Sequence, residues 1–192
     1  MAERDPDRDR LAVLLDDIAA EFPGFRVVAK SSSRFQRFIH RILVIVSLGR
    51  SRSYLDSFTT TIGRRVYVTG DWEAMSRDAR YLVLRHERIH LRQFRRYTLV
   101  GMALLYLLVP LPLGLAYFRA RFEREAYAET ILGTAALYGA GHVREASFRE
   151  SIVEQFTGPS YGWMWPFRGS VERWYDRVLA GLGPAGSPPA AP

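Results

Sequence analysis

Between Tyr97 and Phe118 the chain runs for 22 residues without a charge, YTLVGMALLYLLVPLPLGLAYF. A stretch of that length must leave water, either across a bilayer or into a protein core. Its middle narrows the choice. Pro110, Pro112 and Gly114 interrupt a helix, so the segment reads as two short helical halves joined by a turn. Split at Pro110, each half reaches about 16–20 Å, short of a hydrocarbon core about 30 Å thick. The expectation is an apolar helical hairpin, buried in the protein or set into one face of a membrane. The first alternative is favoured, and the arginines that flank the segment (Arg95, Arg96, Arg119, Arg121) keep the second open.

Around this segment, 192 residues at 48% hydrophobic content are enough for one domain with a packed core. The spacing of Leu11, Leu14, Leu15, Ile18 and Phe22 predicts a helix over 9–22 that ends at Pro23-Gly24. A short strand is expected over 25–29, and a helix from the serines at 31–33 to about Gly49. FTTTIGRRVYVTG (58–70) reads as a strand pair or a bulged strand around Gly63. Ser76 is placed to cap a helix reaching about Tyr97. Further helices are expected over 113–137, over 143–156 and through Val171, Trp174 and Val178. The aromatic stretch GPSYGWMWPF (158–167) lies before the last of them. The fold class is α+β, mostly helical with a small β-sheet, as a single domain over 1–180. The tail 181–192 has no core-forming residues and is expected to be disordered.

Composition removes several functions. Cysteine is absent, which excludes disulfide scaffolds, thiolate metal sites and thiol nucleophiles. The net charge of +7 rests on 26 arginines against a single lysine, Lys30, and residues 1–24 carry seven acids and three arginines. Neither a lysine patch nor an RNA-binding aromatic signature accompanies that charge, so nucleic acid is not favoured as a partner. The charged start, MAERDPDRDR, has no apolar run of the kind a secretory leader needs, and the expected location is the cytoplasm, with membrane association as the alternative.

Chemistry is concentrated in LRHERIHLRQF (84–94), which contains His86-Glu87-x-x-His90. On a helix, positions i and i+4 differ by about 40°, so both imidazoles project from one face and can share a metal. Glu87 sits about 100° from His86, beside such a metal, where its carboxylate can take a proton from bound water. Ala79, Leu82, Val83, His86, His90, Gln93 and Phe94 form one stripe, which is expected to be the buried face. A catalytic zinc needs a third protein ligand. His40 and His142 stand isolated in sequence, and the carboxylates Glu123, Glu125 and Glu129 remain as candidates.

A strand (VYVT), a short linker, a helix carrying HExxH and a later helix bearing E-x-E-A resemble the gluzincin zinc metallopeptidases over about residues 58–135. The resemblance implies a zincin-like domain whose sheet packs on the active-site helix, with 97–118 inserted between the metal-site helices. It implies one Zn2+ per chain held by His86, His90 and Glu123, with Glu87 as general base and a peptide or protein as substrate. Glu125 is the second candidate ligand, and Tyr127 stands where the family usually has Asp or Asn. FTTTIGRRVYVTG would hold substrate as an added strand, and Tyr161 or His142 would assist the oxyanion. Ligands on either side of 97–118 also require that the segment not cross a bilayer an odd number of times. The competing readings are an inactive zincin scaffold serving as a basic membrane- or protein-binding module, and a zinc hydrolase of non-peptide amides.

Overall fold

The computed structural model of the protein describes residues 9–30, 59–107, 117–158 and 164–182. The described chain is mostly helical with one three-stranded sheet, an α+β architecture. It forms two compact units, Met1–Phe94 and Arg95–Pro192.

In the first unit, helix α1 (Arg10–Glu21) starts at Asp9, whose Oδ1 accepts the Leu11 N–H at 3.0 Å. It buries Leu11, Leu14 and Ile18, three of the residues whose spacing predicts the helix. Gly24 then turns the chain at φ 86° into strand β1 (Arg26–Ala29). Strands β2 (Thr60–Ile62) and β3 (Arg65–Val68) form an antiparallel hairpin, with Gly63 in the turn at φ 62°, a conformation that costs glycine nothing. The strand pair expected over 58–70 is therefore present. β3 is central: β1 pairs with it in parallel, and the sheet order is β1-β3-β2.

Helix α2 (Arg77–Leu107) follows a 3-10 turn at Trp72–Ala74. Ser76 caps it as expected, its Oγ accepting the Ala79 N–H at 3.1 Å. The helix is broken at Thr98 (φ 61°, ψ 169°), one residue after the expected end, and Thr98 Oγ1 accepts the Gly101 N–H as a cap for the turns beyond. The core of this unit joins Leu14, Ile18 and Phe22 of α1, Val66 and Val68 of β3, Trp72, and Leu84 and Leu91 of α2.

The second unit contains helices α3 (Tyr117–Tyr138), α4 (Ala146–Thr157) and α5 (Arg168–Ala180), with a 3-10 turn at His142–Arg144 before α4. Its core gathers Ile131 and Ala135 of α3, Val153 and Phe156 of α4, and Val171, Trp174 and Tyr175 of α5 around the fully buried Val143. The Tyr175 hydroxyl donates to the Val143 carbonyl at 2.5 Å, and burial pushes its pKa up to about 12. From the aromatic stretch, Met164 and Trp165 pack into this core, while Phe167 is exposed. Salt bridges Arg149–Asp176 (2.8 Å) and Arg168–Glu150 tie α4 to α5. Among the described residues, no helix is long and apolar enough to cross a membrane. Leu182, in the tail 181–192 expected to have no core-forming residues, is buried in the core of the second unit, folded back by the turn in which its N–H donates to the Leu179 carbonyl. The expected helix over 31–49, His40, the proline turn within 108–116, Tyr161 and the rest of the tail from residue 183 lie outside the described residues.

Candidate metal centre

α2 presents His86 and His90 one turn apart with their Nε2 atoms 3.2 Å from each other. The rings meet edge to face, with centroids 5.0 Å apart and planes at 69°. Gln93, one turn further on, fixes the orientation of His90: its Oε1 lies 2.9 Å from His90 Nδ1. An amide oxygen can only accept, so in this contact Nδ1 is the donor, and in the neutral imidazole that leaves Nε2 its lone pair, the form that binds a metal. All three side chains leave the helix on the stripe that the sequence predicts. The burial of that stripe is not as expected, however. His90 and Gln93 are buried, but His86, Leu82 and Val83 are only partly so, and the deepest side chains on α2 are Leu84 and Leu91. The reason is the sheet: Val66, Val68 and Trp72 pack on Leu84 and Leu91, which sets the histidines at the edge of the core and not at its centre.

Glu87 is 5% exposed, and Thr61 of β2 donates its hydroxyl to Glu87 Oε2 at 2.6 Å. A buried carboxylate requires such a donor to remain charged at modest cost. The opposite side of α2 is fixed by Glu21 at the end of α1. Arg88 Nε donates to Glu21 Oε2 at 2.7 Å and Arg92 Nε to Glu21 Oε1 at 2.7 Å. Led by the Arg92 hydrogen bond, and against the effect of burial, these arginines hold the Glu21 carboxyl down to about 2.

The candidate carboxylates on α3 have different surroundings. Glu123 is 3% exposed, between the buried Phe122 and Ala126. Glu125 is exposed, with Arg121 Nε 3.9 Å from its Oε1. Glu129 is partly buried. His142 is at the surface, its Nδ1 3.1 Å from Glu145 Oε1 and its ring against Tyr138 and Phe148.

Three residues were not singled out for these roles by sequence: Thr61, Gln93 and Glu21. Gln93 carried a readable signal, a polar residue one turn after His90 on the same stripe. The other two act across long separations, and nothing local marks them. No known protein family, curated protein or solved structure matches this chain.

Proposed function

We propose that this protein is a zinc-dependent metallopeptidase of the gluzincin kind, with a zincin-like domain, in which His86, His90 and Glu123 hold the metal and Glu87 is the general base. The observation that carries the reading is the 3.2 Å separation of the two Nε2 atoms. Two nitrogens bound to one tetrahedral zinc at about 2.0–2.1 Å stand about 3.3–3.4 Å apart, a spacing close to that of the two imidazoles. Gln93 adds the outer hydrogen bond that metal-binding histidines ordinarily have. Support for the third ligand comes from the burial of Glu123, a carboxylate held away from water on its own helix. A donor set of two imidazoles and a carboxylate suits zinc.

Bound there, zinc would polarise a scissile carbonyl and bring the pKa of water to about 7. The chain's own residues would do the rest. Glu87, oriented by Thr61, takes the proton from the attacking water and passes it to the leaving amine. β2 lies at one edge of the described sheet, and it is the strand whose Thr61 positions the base. Zinc analysis together with a peptide-library cleavage assay tests this. Wild type should bind one zinc and cleave. Glu87→Gln should retain the zinc and lose at least about a hundredfold in rate. The double change His86→Ala, His90→Ala should lose the metal. Equal metal content in wild type and the double variant, or equal rates in wild type and Glu87→Gln, would overturn the assignment.

A further inference from the structure

We propose that a cavity in the second unit, walled by Tyr117, Arg124, Trp165 and Trp174, binds a small organic carboxylate with an aromatic or aliphatic body. The cavity measures about 330 Å3, at the lower end of the roughly 300–1,000 Å3 usual for small-molecule sites. Its chemistry is polarised. Three aromatic side chains supply apolar wall, and the charges on it are Arg121, Arg124 and Glu125.

These charges are not equivalent. Arg121 and Glu125 stand against each other at 3.9 Å. Arg124 has no carboxylate within ion-pair distance among the described residues. Its guanidinium lies 5.6 Å from the centre of the Trp165 ring, and Nη2 donates to the neutral Ser170 Oγ at 3.1 Å. Among the described residues, Nε is buried without a hydrogen-bond partner, and so is the indole Nε1 of Trp165. Partial burial, then the nearby Arg177, lower the pKa of this guanidinium, as expected for a cation lacking a counter-ion. A carboxylate answers the missing counter-ion: it accepts charge-assisted bonds from a guanidinium, and an attached apolar body would cover the aromatic wall. Glu125 on the same wall repels an anion to the extent that Arg121 does not neutralise it.

The test is calorimetric titration of the full-length protein, stripped of metal with chelator so that no ion can bind the probes. Phenylacetate should bind one to one with Kd below about 1 mM. Phenylacetamide, which has the same shape without the charge, and inorganic phosphate, which has the charge without the ring, should each bind at least about tenfold more weakly. Arg124→Gln should weaken phenylacetate by at least about tenfold. Glu125→Gln, a change at an exposed position, should tighten it. No phenylacetate binding up to about 10 mM, equal binding of phosphate or phenylacetamide, or an affinity unchanged by either variant would overturn the proposal. None of these outcomes depends on the zinc reading.

Discussion

His90 is held from both ends of its ring: Nδ1 faces Gln93 and Nε2 faces His86. That arrangement ranks the residues around a bound ion. Losing an outer partner of a metal-binding histidine typically costs about 10–100-fold in affinity, so Gln93→Ala should fall in that range. Glu123→Ala should cost more, since it would remove the proposed third ligand and vacate a buried position. Glu125→Ala should cost almost nothing, because Glu125 is exposed beside Arg121. Zinc titration of the three variants against a competing chelator checks the order. A larger loss at Glu125 than at Glu123 would mean that the wrong carboxylate was chosen.

At the scale of the elements, α1 and α2 are joined by one carboxylate gripping two arginines. Glu21 has a folded pKa of about 2 against an ordinary 4.5, so its contribution is complete above 4.5 and lost as pH falls from there towards 2. The Arg92 side chain is 46% exposed, and solvent screening reduces the stabilisation to about 1–2 kcal/mol. Urea unfolding of wild type and Glu21→Gln should therefore differ by about that much near neutrality and converge in acid. An unchanged difference at low pH would contradict the assignment. The same elements show what sequence can and cannot disclose. Ser76 and Gly63 mark a helix start and a hairpin turn through their own backbone chemistry, and both are legible. The Glu21 grip joins residues 67 and 71 positions apart, and the Thr61–Glu87 bond joins residues 26 apart. Such contacts depend on how the sheet meets α2, and helical periodicity does not encode that. For the same reason the histidine stripe is legible in direction but not in depth.

On the whole-molecule scale, each unit has its own core, and α2 runs from the first unit into the second, to which its turns beyond Thr98 belong. Leu99 and Val100, just after that break, are exposed. A different property of α2 couples its two faces. His86 and His90 lie on one side of it, and Arg88 and Arg92, two positions later in each case, lie about 200° round the axis. Two independent attachments are thus written into one helical register. Length variation should be filtered accordingly. A single residue inserted between Arg77 and Arg85 would turn everything after it by about 100° relative to the start of the helix, taking the histidine pair and the Glu21-facing arginine pair out of place together. An insertion in the Gly139–Gly141 turn, between helices and without such a coupling, should leave folding intact. Thermal melting and zinc content of the two insertion variants would read the contrast directly. Where this helix is concerned, the molecule should accept many substitutions and almost no change of length.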